Sequence, residues 1–225
     1  MAAQQHSSVR GSKPSDRGFT VIEILIVVAI TAVMATIAVP GYLSMMRYLR
    51  IAGDGRDINA TVALAKMRAA QDFTHARIHA DLVANTYALQ VWDKTANGGV
   101  GCWKTENDSV HPCTATDSPS MQLSPGVTFG SGDATAGSPN PQPSIAQAPA
   151  CNDGVAGGVI ASSHSGTACI EFNSRGLPVA QNGLPTANDA LYITDQNSVY
   201  GVTVIVSGLI QIWYTSASST AWRAR

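Results

Sequence analysis

The chain has 225 residues, 45% hydrophobic and only 13% charged, with 14 Lys+Arg against 15 Asp+Glu for a net charge of −1. Globular chains average about 25% charged residues. This excludes a highly charged disordered chain and a bulk nucleic-acid coat, and no global field steers the molecule toward nucleic acid.

Residues 1–18 are polar and carry Arg10, Lys13 and Arg17 against Asp16. From Phe19 to Val39 run 21 residues with one charge, Glu23. As a helix they span about 32 Å, enough to cross a bilayer core. The positive-inside rule puts the leading segment in the cytoplasm. Pro40 is placed to kink or bend the helix. Tyr42, Met45, Leu49 and Ala52 continue a helical stripe. Gly53-Asp54-Gly55 reads as a break or loosening. Ile58, Val62, Ala65, Ala69 and Phe73 resume the stripe. The first half of this rod asks for lipid or other helices, and the second half, residues 40–75, is amphipathic.

From about residue 82 the period changes to 2. Tyr87–Trp92 reads as a strand ended by Asn97-Gly98-Gly99. Val127-Thr128-Phe129, Val159-Ile160 and Ala168–Phe172 follow, then a turn at Asn173–Gly176. Leu191–Ile193, Val199–Val206 and Leu209–Tyr214 are further strands, the last two joined at Ser207-Gly208. Residues 112–149 hold seven of the eleven prolines and read as loop. The region 76–225 is therefore a β domain that buries one face against the second half of the rod.

Cys102, Cys113, Cys151 and Cys169 are an even set, which in an exported domain suggests two disulfides. Three pairings are open. The neighbour pairing 102–113 and 151–169 closes the shortest loops. No CxxC occurs and no His stands at ligand spacing from a Cys pair, so zinc is disfavoured. No other metal or cofactor is indicated.

Other motifs fall away on spacing. His75 and His79 stand at i, i+4 on an expected helix, but no Glu follows His75 as in a metalloprotease. Ser162–Gly166 lacks the nucleophile-elbow pattern. Gly154–Gly158 lacks the dinucleotide spacing, and Asp54–Asp57 lacks the calcium-loop pattern. No catalytic constellation emerges, so the chain does not read as an enzyme.

The stretch Arg17-Gly18-Phe19-Thr20-Val21-Ile22-Glu23, running into Ile-Leu-Ile-Val-Val, resembles the class III leader of type IV pilins and pseudopilins. A secretory signal peptide or a plain anchor leaves Glu23 and the Gly-Phe junction unexplained. The resemblance implies cleavage by a prepilin peptidase after Gly18 and methylation of the new N-terminus, Phe19. It also implies pairing of Glu23 with the N-terminal amine of a neighbouring subunit. Residues 1–18 are then a cleaved leader and 19–39 a helix stored in the inner membrane until it enters a fibre core, with the β domain in the periplasm.

Ile170–Pro178 and the strands around Val202–Val206 and Leu209–Ile212 resemble the minor pseudopilin H and FimT-like (GspH/FimT) group. The implied fold is α+β, pilin-like: a long N-terminal helix packed on a C-terminal antiparallel β-sheet domain. The implied partners are other pilins or pseudopilins of a type IV pilus or a type II secretion pseudopilus, near the tip. FimT-like members suggest a DNA-binding tail, here Trp222, Arg223 and Arg225. Trp222 stands where that tail usually has glycine.

Overall fold

The computed structural model describes residues 18–106, 120–139, 144–153, 155–156, 159–160, 163–186, 188–217, 219 and 221–225. The chain divides into two compact units, residues 1–44 and 45–225. The helix α1, Val21–Gln71, contributes to both and carries Pro40 inside it.

Thr20 starts the helix. Its carbonyl accepts the Glu23 and Ile24 amides at 3.1 and 3.2 Å. Its Oγ1 accepts the Glu23 amide at 3.3 Å. These are the partners that a first helical turn otherwise lacks. In the first unit Val21, Ile26, Met34 and Ile37 are all more than half exposed, so the chain itself covers none of this surface. Thr31, Thr36 and Ser44 donate their hydroxyls to the carbonyls of Val28, Val33 and Gly41. These three hydroxyls are thus satisfied within the helix, as apolar surroundings require.

In the second unit the helix buries Ile51, Gly55, Ile58, Val62, Ala65 and Ala69. The spacing of 4, 3, 4, 3 and 4 is one helical face. Tyr42, Met45 and Leu49, expected to extend this stripe, are exposed instead. The helix also runs unbroken through Gly53-Asp54-Gly55. Packing overrides the local break signal there. A Cβ on Gly55 would lie 3.1 Å from the Tyr200 ring. Asp54 accepts the Ser124 amide and hydroxyl at 3.0 and 2.9 Å.

The helix ends at Gln71, short of the expected residue 75. Thr74 N–H returns to the Ala69 carbonyl at 3.1 Å, and Phe73 takes φ 48°. This is a Schellman-type stop with Phe73 in the left-handed position that glycine usually fills. Phe73 is 76% exposed and does not belong to the buried stripe.

The strands are β1 Ala76–Asp81, β2 Thr86–Asp93, β3 Cys102–Thr105, β4 Met121–Gln122, β5 Thr128–Phe129, β6 Val155–Ala156, β7 Val159–Ile160, β8 Thr167–Phe172, β9 Pro178–Val179, β10 Asn188–Thr194, β11 Ser198–Ile205, β12 Ile210–Ser216 and β13 Arg223–Ala224. One sheet has the order β3-β2-β1-β8-β9, with β4 beside β2, and a second has the order β13-β12-β11-β10-β5. All pairs in both sheets are antiparallel. Ile78, Ile170 and Phe172 of the first sheet and Leu191, Tyr200 and Val202 of the second share one core with the helix stripe.

Two variants test this packing by urea unfolding. Ile58 is fully buried, so Ile58→Ala lowers stability by about 2–5 kcal/mol. Phe73→Gly raises it by about 1 kcal/mol, because glycine removes the left-handed strain without removing a buried contact.

Candidate processing and assembly site

Gly18 and Phe19 precede the helix, and Phe19 is 79% exposed. Glu23 sits in the first turn of α1, exposed, with no ion pair among the described residues. A carboxylate near the helix N-terminus is favoured by the helix dipole. In an apolar medium it still asks for a cation, since even mid-membrane acids cost about 2.5–3.5 kcal/mol. Residues Gly18 to Glu23 therefore hold the Gly-Phe junction, a capped helix start and an exposed carboxylate with no ion pair among the described residues.

The tail residues do not form one surface. Trp222 donates its indole N–H to the Ala136 carbonyl at 2.9 Å. Its ring lies 5.8 Å from that of Tyr192. Gly201 makes room there, since a Cβ at that position would lie 2.7 Å from Tyr192. Arg225 stacks 5.0 Å from the Tyr214 centroid and 6.0 Å from that of Tyr48. Arg223 is exposed and pairs with Tyr214 in the β12–β13 ladder. The tail is thus an edge strand rather than a free end.

Cys151 and Cys169 form the expected neighbour disulfide, separated by 18 residues. The other expected pair, 102–113, includes Cys113, which lies outside the described residues. Residues 1–17 of the leader and residues 112–119 and 140–143 of the loop lie outside them as well.

His75 and His79 are not on a helix. His79 is in β1 and His75 immediately precedes it. Their alternation with Arg77 puts all three on the sheet face opposite the helix core. Arg77, 3% exposed, donates to Gln90 Oε1 at 2.8 Å and to the Asn152 carbonyl at 2.6 Å. Its guanidinium lies 4.0 Å from the Trp103 ring centroid. Burial lowers Arg77 to about 9, against the raising influence of Glu171 and then Asp153. Glu171, directly opposite Arg77 in the β1–β8 register, pairs with His75 Nδ1 at 2.6 Å. A cavity of about 210 Å³ opens here, lined by His75, Trp92, Trp103, Glu171 and the turn at 181–183. Reading the residues in isolation gave no hint of this cluster, because it joins positions from β1, β2, β3 and β8.

The prokaryotic N-terminal methylation motif matches residues 13–39 of the chain. Among solved structures, the minor pseudopilin EpsH from the Type 2 Secretion System of Vibrio cholerae is similar at 12% identity and a TM-score of 0.41, over 76% of this chain and 99% of that chain. No curated protein matches. The matched motif spans the start of the long apolar helix, and antiparallel sheets follow it.

Two buried groups make stability pH-dependent in opposite senses. Burial and the nearby Arg77 lower His79 to about 4. The unfolded chain therefore binds the extra proton between about pH 6.5 and 4, and stability falls as pH drops through that window. Burial raises Asp189 to about 6, opposed by a hydrogen bond from Thr186. The folded chain binds that proton between about pH 6 and 3.8, and stability is lost as pH rises through that window. Asp189→Asn thus steepens the loss of stability on acidification, and His79→Leu reduces it. Urea midpoints from pH 4 to 7 check both signs.

Proposed function

We propose that the chain is a minor pilin or pseudopilin precursor that works by assembly rather than catalysis. The observation that carries this is the Gly18-Phe19 junction at the capped start of an exposed apolar segment, residues 19–39, whose one carboxylate has no ion pair among the described residues. A bilayer covers that surface first. Prepilin peptidase then cleaves after Gly18, and the Phe19 amine is methylated. Glu23 pairs with the N-terminal amine of the next subunit, and residues 24–39 pass from lipid into the helical core of a fibre. Either setting removes the same apolar surface from water. The β domain lies in the periplasm, where the Cys151–Cys169 bond is stable.

The fibre is a type IV pilus or a type II secretion pseudopilus, with this subunit near the tip. A DNA-receiving role has less support. Trp222 is engaged inside the domain, and of the two exposed arginines Arg225 stacks on Tyr214, which leaves Arg223 unstacked.

Two substitutions separate the steps. Glu23→Val keeps the chain in the membrane fraction and cleaved, but lowers its recovery in sheared fibres about tenfold, because the carboxylate is needed only between subunits. Gly18→Leu leaves the leader attached, seen as a higher-mass species by immunoblot. Wild-type incorporation of Glu23→Val beside wild-type partners overturns the proposal.

A further inference from the structure

We infer that the cavity on the outer face of the first sheet is a binding site for a neutral saccharide, taking one pyranose ring at a time. It lies in residues 45–225, apart from the assembly helix, and does not rest on the assembly reading.

The walls are fixed before any ligand arrives. Trp92 and Trp103 stand directly opposite each other in the β2–β3 register. Their centroids are 5.3 Å apart and their planes 73° from parallel. A Cβ on Gly101 would lie 2.6 Å from the Trp92 indole, so only glycine lets that ring settle against the backbone. Trp103 is held from another side by the Arg77 guanidinium. Two rings locked as a corner cost little entropy when a ligand docks.

The polar lining selects the ligand's charge. Glu171 already has His75 at 2.6 Å and Arg77 opposite it in the ladder. A cation therefore finds no unmatched carboxylate, and an anion finds His75 and Arg77 already engaged. Gln181 and Asn182 bring amides, each with both donors and acceptors. Asn182 Oδ1 holds the turn through the Leu184 amide at 3.0 Å. A pyranose meets these demands together: it has an apolar C–H face for an indole and equatorial hydroxyls that both donate and accept. A volume of about 210 Å³ suits a single ring rather than a long acyl chain or a folded peptide.

The test uses the full chain in a sugar-free zwitterionic detergent. Tryptophan fluorescence is titrated with glucose, N-acetylglucosamine and its β-1,4-linked trimer, and separately with tetramethylammonium chloride and sodium acetate. The expected result is saturation by at least one sugar in the millimolar range, with neither ion saturating. Trp92→Leu and Asn182→Ala each weaken that binding about tenfold. Asn182→Ala is at an exposed turn and guards against a folding artefact, with the thermal melt as a control. No saturation by any sugar overturns the proposal. So does saturation by tetramethylammonium instead, or unchanged sugar affinity in a folded Asn182→Ala chain.

Discussion

Ile51, Gly55, Ile58, Val62, Ala65 and Ala69 form the seam on which both antiparallel sheets close, and the small residues in that row set how near they come. Gly55 admits the Tyr200 ring, where a side chain would crowd it. Ala65 and Ala69 are fully buried beside Ile58 and Val62, so the helix offers alternating holes and knobs. Burying a large aliphatic side chain contributes about 1.5–3 kcal/mol. Ile51, Ile58 and Val62 supply most of that term from the helix side, since all three are completely covered. Both sheets meet the same stripe, so the main core is shared between them.

Each sheet also has an outer face, and the two faces are closed by different chemistry. On the second sheet Tyr192 and Val199 are covered by Ala134, Ile145 and Trp222. On the first, the cover is polar. Arg77 is buried under residue 152, whose carbonyl it holds, and the Cys151–Cys169 bond ties that segment down. A guanidinium this deep is tolerated because Gln90, Asn152, Trp103 and Glu171 surround it. Removing any one partner would leave a buried charge partly unmatched. The disulfide and the arginine therefore hold adjacent residues, 151 and 152, of one chain segment.

The long helix, the hairpin at Ser207-Gly208 and the Asn173–Gly176 turn were legible in the sequence because their signals are local and strong. The strand Ala76–Asp81 was not. Its core face is Ala76, Ile78 and Ala80, too small to stand out as an alternating pattern. The helical spacing up to Ala69 also runs on to Phe73 by coincidence, which hid the stop at Gln71. Gly53-Asp54-Gly55 misled for the opposite reason. The local rule counts lost propensity, about 1 kcal/mol per glycine, but not the ring that glycine lets in. The Gly18–Glu23 motif was readable because its meaning depends on order along the chain alone. The Trp92–Trp103 cavity was not, because it exists only once β2 and β3 are in register.

One helix thus meets two specifications along its length. From Ile51 onward its buried apolar residues follow a stripe that its own chain covers, while Leu64 and Met67 stay exposed. From Val21 to Leu43 they point in every direction, and all are exposed among the described residues. A helix apolar all round is stable only where water is absent on every side. The hydroxyls of Thr31 and Thr36, turned back onto carbonyls three residues earlier, suit such a place. Glu23 does not, unless a cation joins it. The folded domain therefore leaves one debt of solvation and one debt of charge, both in the same segment. A surrounding that meets both must exclude water along the segment and supply a cation near Glu23.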